Sequence, residues 1–252
     1  MTGSPRREEL AARLAGVRGR ISAACEAAGR KPEDVTLVAV TKTFPASDVR
    51  LLNSLGVRDF GENRDVEAAP KAAQCADLDL VWHFVGQLQT NKAASVARYA
   101  TFVHSVDRLR LVHALGAAAR RAGRAEQAEQ AEQPGRAERA GRAIQCLIEV
   151  SLDGDPARGG ALASEVPGLA EALAAEAGLV LAGVMAIAPL GMPPAEAFAK
   201  LLDSAAVVRA FRPAATVISA GMSGDLEAAI AAGATHVRIG TALLGDRGAP
   251  VR

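Results

Sequence analysis

Charge imbalance, cysteine and aromatic side chains are all in short supply in this sequence. Lysine and arginine number 29 against 28 aspartate and glutamate, a formal net charge of +1. That balance builds no strong field toward nucleic acid or an anionic lipid surface, although it leaves room for a local basic site. The three cysteines, Cys25, Cys75 and Cys146, lie far apart. No pair has metal-ligand spacing, and an odd count suits no disulfide framework, so they read as reduced thiols. No run of eighteen apolar residues is available to span a bilayer. The N-terminal MTGSPRREELAARL carries no apolar signal core, which makes the cytoplasm the expected compartment. Aromatics amount to one tryptophan, one tyrosine and six phenylalanines, so Tyr99 is the only phenol available for acid–base work.

Alanine-rich helical segments and short Val/Ile/Leu runs are plentiful. A helix over about 7–28 is stopped by Gly29 and Pro32. A strand–helix rhythm follows, with strands at 35–41, 57–61, 80–85, 101–104, 144–150, 179–187, 215–219 and 235–239. The helices between them fall near 46, 63–76, 91–97, 107–121, 161–176, 194–210 and 223–232, and a short tail ends the chain. Continuous apolar strands joined by helices predict a parallel sheet covered on both faces. Eight such units fit a closed (β/α)8 TIM barrel with an extra N-terminal helix, one domain over 1–252. The alternative, an open doubly wound sheet, lacks its glycine-rich fingerprint after strand 1. One stretch breaks the rhythm. Residues 123–143, GRAEQAEQAEQPGRAERAGRA, form a low-complexity insertion with no face apolar enough to be held down.

In such barrels the chemistry gathers where strand C-termini meet the following loops. Strand 1 ends in TLVAVTK, and Lys42 shares parity with Val38 and Val40, which points it into the mouth. Closure places strand 8 beside strand 1, bringing Lys42 to Arg238, Gly240 and Thr241. Ser219 and the amides of SAGMSGD come from strand 7, next along. Small residues, free amides and hydroxyls between the last two strand ends make a phosphate cradle. A lysine there either pairs with the phosphate as a point charge or forms a Schiff base with an aldehyde. Pyridoxal 5'-phosphate (PLP) fits the second reading, with an aldehyde at one end, a phosphate at the other and a flat ring between. Arg238 would then face the ring nitrogen and, always protonated, keep it an unprotonated acceptor, which weakens the electron sink.

The segments VAVTKTFPASDV, DFGENRDVEA, WHFVGQLQTNK, HSVDRL, VMAIAPL and SAGMSGDLEAAIAAGATHVRIGTALLG together closely resemble the pyridoxal-phosphate homeostasis proteins, relatives of the N-terminal barrel of alanine racemase. The resemblance spans about residues 10–246 apart from the insertion. It implies that Lys42 holds the cofactor as an internal aldimine and that Asn63 lies near the ring face or oxygen. It implies Arg238 at the ring nitrogen, and Ser219, Gly240 and Thr241 at the phosphate with the amides of Met222 and Ser223 as helpers. The implied function is intracellular PLP and vitamin B6 homeostasis without strong turnover, in a monomer, with PLP-dependent acceptor enzymes as candidate partners. The alternative is a true PLP-dependent racemase. That reaction takes a second base, a tyrosine supplied by a further β domain for which the sequence has no segment. Tyr99 falls between strands 3 and 4, toward the helices. His83 reads as a core or hydrogen-bonding residue, His104 as a candidate cavity-lining group, and His236 as lying at the wrong end of strand 8. No cluster has metal-site spacing. Gln87, Gln89, Thr90, Asn91 and Lys92 form a polar patch after strand 3, to be read as part of the mouth, a partner contact or an ordinary loop. Val66 departs from the family pattern at an often polar position.

Overall fold

The computed structural model describes residues 5–130, 143–155 and 158–245. Helix α1 (Pro5–Ala27) leads into strand β1 (Thr36–Val40) and helix α2 (Ala46–Ser54). Then come β2 (Asp59–Glu62), α3 (Asp65–Gln74), β3 (Val81–Phe84), α4 (Ala93–Val96), β4 (Phe102–Val106) and α5 (Leu109–Gln130). The second half runs β5 (Ile144–Glu149), α6 (Val166–Ala175), β6 (Leu179–Met185), α7 (Pro194–Phe211), β7 (Val217–Ser219), α8 (Leu226–Ala231), β8 (His236–Ile239) and α9 (Thr241–Leu244). The eight strands pair in parallel and in sequence order, and β8 returns to β1 to close the barrel. The open-sheet alternative is excluded.

Boundaries shift where local chemistry intervenes. The helix expected over 161–176 starts at Val166, because Ala161 bridges back to Val150 and Pro167 suits a first helical turn. The helix expected from 223 starts at Leu226, after a turn in which Met222 N–H donates to Asp225 Oδ1 at 2.6 Å. In place of a helix over 91–97, one 3-10 turn at Thr90–Lys92 precedes α4. Helix α5 continues through Gln130, since alanine, glutamate and glutamine are strong helix formers. The rest of the low-complexity insertion, 131–142, lies outside the described residues.

Alternation along the strands divides the core. Ala39, Phe60, Trp82, Val237 and Ile239 face the surrounding helices. Helix α1 adds Leu10, Leu14, Val17 and Ile21 to that layer, a stripe repeating every three or four residues. It covers the β8–β1 seam, where α8 and α9 are too short to do so alone. Arg6 fixes α1 to Asp48 of α2 and to the Leu244 carbonyl, and Arg20 to Glu227 of α8. The barrel interior differs in character. Leu147, Ala182 and Met185 pack with Phe102 and Val217. Buried His83, His104, Ser219 and Arg238 share the interior with them, Phe102 stacking on the His83 ring. No helix among the described residues is long and apolar enough to cross a membrane.

Candidate functional site

Strand β1 ends at Val40 and the chain turns at once. Phe44 N–H donates to the Thr41 carbonyl at 3.0 Å, which places Lys42 and Thr43 at the corners of a β-turn. Thr43 has φ 70°, a left-handed conformation that β-branched residues avoid. Strain of that kind costs about 1–3 kcal/mol and persists only where neighbours enforce it. Glu67 Oε2 accepts from Thr43 N–H at 3.0 Å, and Lys71 Nζ donates to the Thr41 carbonyl at 2.7 Å. Thr41 Oγ1 donates to Glu62 Oε1 at 2.7 Å, and Lys71 Nζ donates to the same oxygen at 2.5 Å. Glu62 is 0 % exposed. Burial pushes its carboxyl upward, while the bonds from Lys71 and Thr41 pull it back. This buried acid–lysine pair clamps the turn from outside the barrel.

Lys42 itself is half-buried, and its ammonium makes no ion pair or hydrogen bond among the described residues. The strand-end lysine is therefore not held by a salt bridge. Its backbone is fixed and its charge is left for something else.

Arg238 sits opposite Val38 across the β8–β1 pairing, so it shares the inward parity of Val38 and Val40. Its Nη1 donates to Ser219 Oγ at 2.7 Å and its Nη2 to the Ala186 carbonyl at 2.8 Å. Burial brings its pKa down to about 10, with Glu149 and Asp225 opposing, so it stays a cation at neutral pH. Ser219 is wholly buried and also meets His104 Nδ1 at 3.0 Å. Its hydroxyl is thus engaged inside the barrel, below the loops expected to cradle a phosphate.

Those loops do converge. Ala242 N–H donates to Ser223 Oγ at 3.2 Å, tying the β7–α8 loop to the start of α9 beside Gly240 and Thr241. Gly221, at φ +90°, makes the turn possible, since a Cβ there would lie 2.6 Å from Ala229 Cβ. Its carbonyl accepts from Arg238 N–H at 2.9 Å. The Met222 amide is not free, being donated to Asp225. On the other side of β1 from β8, Asn63 follows β2, and a Cβ on Gly86 would lie 2.1 Å from the Asn63 carbonyl oxygen, so only glycine lets the two loops meet. Asn63 Oδ1 is buried without a hydrogen-bond partner. An orphaned polar atom at such a position is costly unless a ligand satisfies it.

Of the sequence-predicted residues, Lys42, Arg238, Gly240 and Thr241 meet at the β1–β8 seam, Ser219, Met222 and Ser223 lie beside it, and Asn63 follows β2, the strand paired to β1 on its other side. Tyr99 is on the helix side, its hydroxyl 3.4 Å from Asp65 Oδ1 of α3. Among the described residues no group of three acidic, histidine or cysteine side chains is placed to hold a metal.

Sequence reasoning missed Glu149, the last residue of β5, which shares the inward parity of Leu147. Burial first, then the Asp107 charge, raises its carboxyl from 4.5 to about 7, against Arg238 and Arg158. The signal was a carboxylate closing the apolar run CLIE. The folded protein keeps this proton over a range in which the unfolded chain loses it. Glu149 therefore costs nothing below the unfolded pKa and destabilises increasingly as pH rises toward 7. Glu149→Gln is expected to be about 2–3 kcal/mol more stable than the wild type at pH 8 and equal to it near pH 4, read by urea denaturation.

The family profile described as "Alanine racemase, N-terminal domain" matches residues 14–248. The chain is 44% identical to the pyridoxal phosphate homeostasis protein of Mycobacterium tuberculosis over 256 residues, covering 96% of this chain and 94% of that one. It is 38% identical to the protein of the same name from Escherichia coli K12, covering 95% and 97%. Among solved structures it is similar to PipY of Synechococcus elongatus with PLP bound, at 33% identity and a TM-score of 0.76 over 94% of this chain and 100% of that one. Alanine racemase of Corynebacterium glutamicum, at 17% identity and a TM-score of 0.62 over 91% and 60%, shares the fold. A buried arginine and an unpaired strand-end lysine at the seam of a racemase-like barrel, with relatives matched along nearly their whole length, settle the assignment: the chain belongs to the pyridoxal phosphate homeostasis protein family.

Proposed function

We propose that this protein binds pyridoxal 5'-phosphate through an imine to Lys42 and serves intracellular vitamin B6 homeostasis without strong turnover. The observation that carries this reading is Lys42, fixed by a strained turn yet with an unpaired ammonium, at the seam it shares with Arg238. Its amine would add to the aldehyde with loss of water, leaving the lysine as an imine nitrogen. The residues present fit such a group. Asn63 offers its orphaned side-chain oxygen, Arg238 keeps guanidinium N–H groups beyond the two it spends on Ser219 and Ala186, and the Ser223–Gly240–Thr241 corner offers small residues. PLP is named in the relatives and is bound in the PipY structure. The cofactor supplies an electron sink when bound, and an arginine at the ring nitrogen weakens it.

Low turnover is supported by Tyr99, whose hydroxyl faces Asp65 outside the barrel and offers no acid–base group on the cavity side. The reading is of a single barrel domain, cytoplasmic and monomeric, that passes PLP to acceptor enzymes. An absorbance spectrum followed by borohydride reduction and peptide mapping tests the core of it. A band near 420 nm and a label on Lys42 are expected, at about that wavelength for an imine of this type. A colourless, unlabelled protein after incubation with PLP would return Lys42 to an ion-pair role in some other phosphate site. A racemase would instead exchange the α-proton of a bound amino acid at a useful rate.

A further inference from the structure

Four hydrogen bonds run in series through the barrel interior and end on Arg238. Asp59 Oδ1 lies 2.9 Å from His83 Nε2, and His83 Nδ1 lies 2.9 Å from His104 Nε2. His104 Nδ1 is 3.0 Å from Ser219 Oγ, which is 2.7 Å from Arg238 Nη1. The links join β2, β3, β4, β7 and β8. Phe102 stacks on the His83 ring at 4.6 Å and 6°, so the ring cannot turn freely.

The chemistry of the end groups gives the series a direction. A guanidinium only donates, so Ser219 Oγ accepts from Arg238. The Asp59 carboxylate at the other end only accepts, so a neutral His83 donates from Nε2 and accepts on Nδ1 from His104 Nε2–H. His104 Nδ1 in turn accepts the Ser219 proton. Two neutral rings satisfy every link in this sense. In the opposite sense His83 Nε2 and Asp59 would be two facing acceptors, so reversal takes one additional proton.

We infer that Asp59, His83 and His104 are positioning residues, a polarised relay that holds the Ser219 proton away from the cavity and thereby keeps Arg238 aimed at the site. The same relay has room for one further proton, which reverses it. In the reversed state His104 carries its proton on Nδ1 and donates to Ser219 Oγ, and His83 carries protons on both ring nitrogens, donating to His104 Nε2 and to Asp59. The net product is one imidazolium on His83, opposite Asp59. The other charged or titratable groups acting on the relay among the described residues are His236 from β8, on the histidines, and Glu149 from β5 and Asp225 ahead of α8, both on Arg238. Burial, His83, Arg238 and His236 all disfavour a cation on His104, whereas Asp59 supports one on His83 against burial. The neutral, directed state is therefore the resting one.

The orientation of the relay needs no ligand; its consequence for a bound ring rests on the cofactor reading above. The test is nitrogen NMR of the full chain, labelled at histidine and free of PLP. Both His83 and His104 are expected as neutral Nε2–H tautomers at pH 7. Asp59→Ala is expected to turn His104, two links away, into a tautomer mixture, and His236→Gln to leave it unchanged. An Nδ1–H tautomer at either ring in the wild type, or an unaltered His104 in Asp59→Ala, would overturn the relay. If Asp59→Ala does not fold, Ser219→Ala reports the same coupling from the other end. PLP titration then tests the positioning role. Asp59→Ala should bind about tenfold more weakly, the effect of one disturbed charge-assisted hydrogen bond, while retaining its imine band. Wild-type affinity would remove that role. Failure of the wild type itself to form an imine would count against the cofactor reading and leave the tautomer result standing.

Discussion

Lys42→Ala and Lys42→Arg are both expected to stay colourless with PLP and to bind it on the order of a hundredfold more weakly than the wild type, about 3 kcal/mol. The pair separates charge from nucleophilicity. Arginine keeps a cation at position 42 but has no amine to condense with an aldehyde. If Lys42→Arg bound as tightly as the wild type, the lysine would be a counter-ion and the imine would be ruled out. Neither change should disturb folding. The Lys42 side chain has no partner among the described residues, so its removal belongs with surface substitutions of about ±0.5 kcal/mol. Fluorescence titration with PLP, alongside thermal unfolding of the unliganded proteins, measures both quantities.

Lys71→Met should do the reverse, with a large loss of stability from a residue that faces away from the cavity. Lys71 is the only cation bonded to the fully buried Glu62 among the described residues. Removing one partner of a buried pair leaves an uncompensated charge, at a cost of about 3–5 kcal/mol. For a chain of this size that lowers the melting temperature by about 10 °C. Glu62 Oε2 already lacks a hydrogen bond, which removes any local substitute. The double variant Glu62→Gln with Lys71→Met should recover most of the loss, because the glutamine oxygen can still accept from Thr41 Oγ1. Calorimetry showing less than about 1 kcal/mol for the single variant would mean that Glu62 is already protonated in the folded protein. The single variant should also loosen the Thr41–Phe44 turn and slow imine formation, since Lys71 anchors the Thr41 carbonyl.

The sequence made the barrel and its seam legible for a simple reason. Strand parity and closure depend only on spacing two along a strand and on which strands become neighbours. Lys42, Arg238, Gly240 and Thr241 could be brought together on those grounds. Groups whose partners depend on register or helix facing could not. Glu62 shares the parity of Phe60 and lies outside the barrel, where Lys71 of α3 reaches it. That contact depends on how α3 faces the sheet. Ser219 was expected at the phosphate, and periodicity gave no sign that its hydroxyl lies between Arg238 and His104. The histidines drew attention singly. Their connection requires the relative heights of five strands, which periodicity does not give. Glu149 was within reach of parity alone.

The β1–β8 pairing also dictates when the site comes into being. Lys42 and Arg238 stand near opposite ends of the sequence and come together across the pairing that closes the barrel. During synthesis, strand β1 emerges early and waits with an unpaired edge until β8 arrives. Such a long-range contact repays its loop-closure entropy late, which places ring closure at the slow end of folding. A growing chain thus carries Lys42 long before it carries Arg238 and the Ser223–Gly240–Thr241 corner. The proposed imine site is assembled only when the two ends of the sheet have joined.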